Sequence, residues 1–254
     1  MKQFIRAVVA VAALAAALPA PAVEVTILGL SFPNATNTFS VLNVFPGINA
    51  NFTSSPGNFE QKTIDPNGAG PPPPVTGVGV SGKTGGEIDI GESITGTFSA
   101  AVKVPRIDLV FLFDGPEFND VQEQAKITAS LLGGGVLTGI LTANYTNAAG
   151  LTATWAETGG SGTVSNNSPA TASGAAWWEI QNPFGNADIL SLKFEALAGV
   201  SSNTCGEHHN AVCTNQSDYS IERLVLAVPE PGAYALLIAG LLTLGFGMRR
   251  RVRV

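Results

Sequence analysis

Residues 122–132, Gln-Glu-Gln-Ala-Lys-Ile-Thr-Ala-Ser-Leu-Leu, decide whether the fold is all-β or mixed. Ile127 and Leu131 have the spacing of one helical face. Residues 126–131 also alternate between polar and apolar side chains, as in a strand with one buried face. We expect a strand here, because the neighbouring segments also have the composition of strands.

Those neighbouring segments are short and rich in β-branched and aromatic residues, which is typical of strands. They cover residues 25–28, 39–44, 93–98, 107–113, 136–145, 151–155, 189–195 and 219–227. Glycine- and proline-rich breaks fall at 46–58, 65–77, 133–135, 159–174 and 182–187. The pattern predicts an all-β fold for residues 23–227, a β-sandwich or jelly-roll-like domain rather than βαβ units.

The N-terminal residues 1–22 have the composition of a secretory signal peptide. Lys2 and Arg6 give a positively charged start, residues 7–18 form an apolar run, and Ala20-Pro21-Ala22 offers small residues for cleavage. The apolar run is too short to span a bilayer comfortably. We therefore expect export, with removal of this segment by signal peptidase after Ala22.

The C-terminal residues 228–254 combine three features. Val228-Pro229-Glu230-Pro231 precedes an uncharged run, 232–248, and a basic cluster follows at Arg249, Arg250, Arg251 and Arg253. As a helix at about 1.5 Å per residue, the run spans roughly 25 Å, near the lower limit for a hydrocarbon core of about 30 Å. Because arginines stay cytoplasmic, a single transmembrane helix at 232–248 leaves the preceding residues outside the cytoplasm.

This order of Pro-Glu-Pro, apolar helix and arginine cluster resembles the PEP-CTERM sorting signal of Gram-negative bacteria. The resemblance implies that an exosortase recognises Pro229, Glu230 and Pro231 and removes the tail during export. It also implies a transient anchor in the inner membrane, followed by delivery to the cell surface or the extracellular space. Proteins of this kind commonly accompany exopolysaccharide and biofilm production. The middle of the chain carries no such resemblance.

Charge is distributed unevenly along the chain. The net charge is −6, yet both ends are basic and every acidic residue lies between Glu24 and Glu230. The middle segment is therefore more acidic than the net charge suggests. A surface of that sign repels phosphate backbones, so nucleic acid is excluded as a partner.

The two cysteines, Cys205 and Cys213, lie close together in a polar segment. An exported protein meets an oxidising compartment, so we expect a disulfide between them. Closing so short a loop contributes about 2–3 kcal/mol on the chain-entropy model. The alternative is a zinc site with His208 and His209, but their spacing does not match that of zinc motifs.

Residues 77–84, Gly-Val-Gly-Val-Ser-Gly-Lys-Thr, match the pattern of a phosphate-binding loop, and residues 109–114 resemble its downstream aspartate strand. A true phosphate loop follows a buried strand and opens a helix, whose free amides bind the anion. Here prolines precede Gly77, and Gly85-Gly86 follows Thr84. We therefore predict no nucleotide site and no cofactor.

Acidic residues cluster in the segment 114–120, where Asp114, Glu117 and Asp120 offer oxygen ligands. Calcium binding is one interpretation of this turn. The spacing lacks the glycine and the final glutamate of an EF-hand loop, so we expect a solvated acidic turn. Calcium stays open as the alternative, and we predict no other metal.

Signatures of enzymes are mostly missing, since neither Gly-x-Ser-x-Gly nor His-Glu-x-x-His occurs. Paired carboxylates for glycoside chemistry stay open, because a sequence gives no distances. Trp155, Trp177 and Trp178 favour core or edge packing, with sugar stacking as the alternative. On a strand, the adjacent Trp177 and Trp178 point to opposite faces, which places one in the core.

We therefore predict a non-enzymatic protein, exported by a Gram-negative bacterium, with a structural or binding role at the cell surface or in the extracellular matrix. Its expected partners are signal peptidase and exosortase as processing enzymes, the membrane before processing, and exopolysaccharide. One alternative is an exported carbohydrate-active enzyme that uses two carboxylates. Another is a tail-anchored protein that is never processed.

Overall fold

The computed structural model describes residues 22–64, 74–113, 122–144, 152–168, 176–200 and 217–228. Within these ranges the regular structure is a set of β-strands and one 3-10 turn at Gly29–Ser31, so the all-β prediction is confirmed. The strands are β1 Glu24–Leu28, β2 Thr38–Phe45, β3 Ile48–Ser55, β4 Phe59–Ile64, β5 Val75–Val80, β6 Ser93–Val110, β7 Gln122–Leu131, β8 Val136–Asn144, β9 Thr152–Glu157, β10 Thr163–Asn166, β11 Trp178–Gln181, β12 Ile189–Val200 and β13 Ser220–Ala227. Residues Glu24–Ala227 form one compact unit.

Strand β6 organises the fold, because its 18 residues take part in both halves of one open sheet. Its C-terminal part pairs with β11 and β13 in half-sheet I, which runs β4-β5-β13-β6-β11-β10 with β1 also on β13. Its N-terminal part pairs with β3 and β12 in half-sheet II, which runs β2-β3-β6-β12-β7-β8-β9. Side chains in the N-terminal part of β6 therefore belong to half-sheet II, and those in its C-terminal part belong to half-sheet I.

Alternation along the strands builds the core. On β7, Ala125, Ile127 and Ala129 are fully buried, while the intervening side chains are half-buried. The strand predicted for this ambiguous segment is therefore confirmed, and its pairing with β12 and β8 explains why strand prevails over helix.

Aromatic side chains link the two half-sheets. The ring of Phe32 lies 4.7 Å from Phe39 on β2, 5.0 Å from Phe52 on β3 and 5.2 Å from Phe59 on β4, between ring centroids. Each buried phenylalanine contributes about 1.5–3 kcal/mol. Near the start of β13, the hydroxyl of Tyr219 donates to the carbonyl of Glu195 on β12, 3.2 Å away.

Two strands predicted separately, 93–98 and 107–113, belong to one strand, β6. It ends at Val110 because Phe111 adopts a left-handed backbone with φ of 67°. The predicted breaks at 46–58, 65–77 and 159–174 also contain strands, namely β3, part of β5, and β10. In the first break, strand structure is absent only at Pro46-Gly47, where glycine supplies φ of 78°, and at residues 56–58.

The transmembrane segment predicted at 232–248 lies outside the described residues, as does nearly all of the predicted signal peptide 1–22. Among the residues that are described, none belongs to a helix long and apolar enough to cross a membrane.

Candidate functional site

Most of the predicted site residues lie outside the described part of the chain. They are the recognition residues Pro229, Glu230 and Pro231, the basic cluster Arg249, Arg250, Arg251 and Arg253, the cysteines Cys205 and Cys213, and the acids Asp114, Glu117 and Asp120. Those interpretations stay predictions.

The segment that resembles a phosphate-binding loop is described, and its backbone amides bind the protein's own carboxylates. The amide of Thr84 donates to Asp89 Oδ2 at 2.6 Å, and the amide of Lys83 donates to Glu92 Oε1 at 3.3 Å. Residues 81–92 form bends, turns and an isolated bridge between Val80 and Glu87, not a helix. A phosphate bound here would have to displace these carboxylates.

Gly82 in this loop faces the same carboxylates. A Cβ atom at this position would lie 1.5 Å from Glu92 Oε1. The space beside Gly82 is therefore occupied by an internal carboxylate and not by a bound phosphate.

The candidate site of the described fold is a set of five charged residues on half-sheet I, called the charged cluster below. Arg106 and Asp108 come from β6, Glu179 from β11, and Glu222 and Arg223 from β13. Asp108 is directly opposite Glu179 on one side and Arg223 on the other. Cross-strand partners project from the same face of a sheet, so the register brings these side chains together.

Glu222 joins the cluster through an irregularity in β13. The register with β6 shifts between Ile221 and Arg223, so Glu222 is an extra residue in a bulge. Bulges redirect side chains relative to the regular alternation. As a result, Glu222 reaches Asp108 by a side-chain hydrogen bond, although the cross-strand partner of Asp108 on β13 is Arg223.

Arg106 connects the carboxylates. Its Nε and Nη2 atoms donate to the two oxygens of Asp108 at 2.6 and 2.5 Å, and Nη2 also lies 2.6 Å from Glu179 Oε2. Arg223 adds Nη2 at 3.3 Å from Glu222 Oε1. The side chain of Asp108 is fully buried. A fork of this kind is the geometry that stabilises a desolvated carboxylate.

Burial and the neighbouring Asp108 shape the titration of this cluster. Burial, the charge of Asp108 and the shared hydrogen bond raise the pKa of Glu222 to about 7, against the opposing effect of Arg223. Burial also raises the pKa of Glu179. Hydrogen bonds from Gln181 and Asn167 and the charge of Arg106 act in the opposite direction and have the larger combined effect, so the pKa of Glu179 is lowered.

A second pair of carboxyl groups lies at the start of β13. Burial and the adjacent Asp218 raise the pKa of Glu87 to about 7, and Lys62 opposes that shift. Lys62 Nζ lies 2.7 Å from Glu87 Oε1 and 5.3 Å from the centroid of the Phe111 ring. The Glu87–Asp218 pair thus connects the region at the start of β13 to the loop after β5, and the Asp108–Glu222 pair connects β13 to β6.

The carboxyls of Asp108 and Glu222 lie side by side in the charged cluster, where Asp108 helps to raise the pKa of Glu222. Glycosidases hold their two carboxyls about 5 Å apart or more, with the scissile bond between them. The side chain of Asp108 is fully buried, so it is not exposed to a polysaccharide in solvent.

The three tryptophans all take part in packing. Trp178 is fully buried, and its Nε1 donates to the carbonyl of Leu112 at 2.8 Å. Trp177, which precedes β11, is half-buried against Val110 and Phe111, so it packs at the edge of the core rather than facing solvent. Trp155 donates from Nε1 to the carbonyl of Pro183 at 3.2 Å.

Sequence reasoning missed the charged cluster because its members come from three strands far apart in the chain. One signal was present: Arg106 and Asp108 flank an isoleucine in a β-like run, and Glu222-Arg223 interrupts the apolar segment 219–227. Charges inside such runs indicate a paired buried cluster, since an unpaired buried charge is costly.

Comparison with known protein families matches residues 227–251 to the PEP-CTERM protein-sorting motif. No curated protein and no solved structure matches the chain. The resemblance seen in the C-terminal residues is therefore confirmed. The motif indicates an exported protein with a C-terminal sorting signal that an exosortase processes.

Proposed function

We propose that this chain, which carries the PEP-CTERM protein-sorting motif, delivers its β-domain to the cell surface or the extracellular matrix of a Gram-negative bacterium. Signal peptidase removes residues 1–22, the helix 232–248 holds the chain in the inner membrane, and exosortase then removes the tail. The released domain has a structural or binding role in the exopolysaccharide layer and is not an enzyme.

The junction between fold and motif is the main observation that supports the proposal. Strand β13 ends at Ala227, and the matched motif begins at residue 227. Within the domain, β1 pairs along β13 from Glu24 opposite Ala227 to Leu28 opposite Arg223. Ala227 is therefore the last paired residue of the sheet and the first residue of the motif, followed only by a hydrogen bond from the amide of Val228 to the carbonyl of Val23 at 3.4 Å. Removal of the tail beyond Val228 would leave this pairing intact.

Two finer parts of the proposal concern the domain itself. Half-sheets I and II pack as a β-sandwich of jelly-roll type, for which the contacts of Phe32 with β2, β3 and β4 are the support. A disulfide between Cys205 and Cys213 stabilises the segment before β13, as exported proteins permit.

The alternative of a carbohydrate-active enzyme needs two carboxyls that flank a sugar bond. In the charged cluster, Asp108 is fully buried and Glu222 interacts with it by a hydrogen bond instead. Release of reducing ends from a polysaccharide by the purified protein would favour this alternative over the proposal.

Replacement of Pro229, Glu230 and Pro231 together by alanine tests the proposal in cells. We expect the variant to stay in the inner-membrane fraction with its tail attached, because the prolines keep this stretch extended for the processing enzyme. Fractionation and immunoblotting measure the distribution. Glu24→Ala, which removes an exposed acid opposite Ala227 but leaves Pro-Glu-Pro unchanged, is the control and should reach the surface. Surface delivery of the triple variant at the wild-type level would contradict the proposal.

A further inference from the structure

The outward side of half-sheet II carries regular rows of hydroxyl groups. The strand register places Thr38 opposite Thr53, Thr53 opposite Thr95, Thr95 opposite Lys193, Lys193 opposite Thr128, and Thr128 opposite Thr138. This row crosses six strands from β2 to β8. Its side chains are exposed or half-buried, although the Oγ1 atom of Thr128 is buried without a partner, and most of their sequence neighbours are buried.

A second row runs beside the first, two residues further along each strand. It contains Ser40, Asn51, Thr97, Ser191 and Ser130, again as successive cross-strand partners. Every member is a small uncharged side chain that donates and accepts hydrogen bonds. The two rows together are called the hydroxyl face below.

Sheet geometry fixes the spacing of these groups. Neighbouring strands lie about 4.8 Å apart, and alternate residues on one strand lie about 6.8 Å apart. The hydroxyl face is therefore a repeating two-dimensional array of hydrogen-bonding groups across most of half-sheet II. Such an array suits a polymer that presents hydroxyls at regular intervals, rather than a compact ligand that needs a cavity.

Charge selects among such polymers. Two lysines on this side of the sheet share one glutamate: Lys193 Nζ lies 2.7 Å from Glu195 Oε1, and Lys126 Nζ lies 3.1 Å from Glu195 Oε2. The chain as a whole carries a net charge of −6. A polyanion would be repelled by this net negative charge. A neutral polymer avoids that repulsion.

We propose that the hydroxyl face binds a neutral polysaccharide, which lies on the sheet and exchanges hydrogen bonds with the threonine and serine hydroxyls. This inference rests on the proposed function, since export brings the domain into contact with extracellular polysaccharide. To the proposed function, this inference adds which surface of the domain binds and the chemical class of the polymer that it binds.

The test measures retention of the surface-extracted protein on the insoluble neutral glucans amylose and cellulose. Variant Thr38→Val/Thr53→Val/Thr95→Val removes three neighbouring hydroxyls but keeps the β-branched shape. Loss of three hydrogen bonds should weaken binding roughly a hundredfold. The matched control is Thr63→Val/Thr76→Val, which removes an exposed hydroxyl pair, 2.7 Å apart, from half-sheet I. The control should bind like the wild type.

Three outcomes would overturn the inference. The wild type binds neither glucan, the Thr38/Thr53/Thr95 variant binds as well as the wild type, or retention is greater on anionic polygalacturonate. Thermal unfolding of each variant shows that it is folded. The mass of the same surface-extracted protein reports export and tail removal separately, so loss of glucan binding in a correctly processed protein contradicts this inference alone.

Discussion

Raising the pH from about 5 to about 8 will lower the Tm of this protein by roughly 10 °C, because two carboxyl pairs lose a proton that only the folded state holds tightly. In the folded state the pKa of Glu87 and of Glu222 is raised from 4.5 to about 7. Burial is the largest cause in both, followed by Asp218 for Glu87 and, against the pull of Arg223, by Asp108 for Glu222.

The direction follows from proton binding. Between pH 4.5 and about 7 the folded state binds more protons than the unfolded state, so each rise in pH favours unfolding. The extra stability is complete below about pH 4.5 and is lost by the time the pH exceeds 7. Each pair contributes on the order of 2 kcal/mol.

Thermal unfolding followed by circular dichroism across this range is the measurement. Glu222→Gln keeps a hydrogen-bond donor towards Asp108 at every pH, and Asp218→Asn does the same towards Glu87. Each variant should remove about half of the pH dependence, and each should exceed the wild type in Tm above pH 7. A wild-type Tm that is constant or rises between pH 5 and pH 8 would show that these pairs do not share protons.

Arg106→Met will destabilise the protein by about 3 kcal/mol, because it leaves carboxylates buried without their main cation. Arg106 contacts Asp108, whose side chain is fully buried, and Glu179, whose side chain is 10% exposed. Methionine keeps much of the apolar stem, so loss of packing contributes little. Arg106→Lys should recover only part of the loss, since an ammonium group cannot form the two-pronged contact with Asp108.

Urea unfolding at pH 7 measures this effect. The control is Lys193→Met, which removes a lysine with 46% side-chain exposure from its pair with Glu195. An exposed pair of this kind contributes about 0.5 kcal/mol, so the control should differ little from the wild type. If Arg106→Met cost no more than Lys193→Met, the charged cluster would not be a stabilising element of half-sheet I.

Local patterns predicted the class of fold well, and long-range pairing explains what they missed. Residues 126–131 alternate, and β7 is a strand whose apolar side chains are buried. By contrast, β3 lies in a stretch with glycine, proline and polar residues, where composition favours a loop. It becomes a strand because β2 and β6 pair with both of its edges.

The charged cluster was beyond sequence reasoning for a related reason. Asp108, Glu179 and Glu222 meet only because β11 and β13 pair with the same part of β6 and because β13 carries a bulge. Charged residues inside the β-like runs are the one local signal of the cluster, and they show neither which strands pair nor where the bulge lies. The sorting motif was recognisable because its recognition depends on a short contiguous segment, which needs no tertiary fold to be read.

The identity of the mature C-terminus tests the central claim most directly. Mass spectrometry of the protein extracted from the surface of its own cells should show a chain that begins near Val23 and lacks residues 232–248 and the arginines after them. In cells without exosortase, the same chain should keep its tail. A surface protein that still ends at Val254 would contradict delivery by exosortase processing.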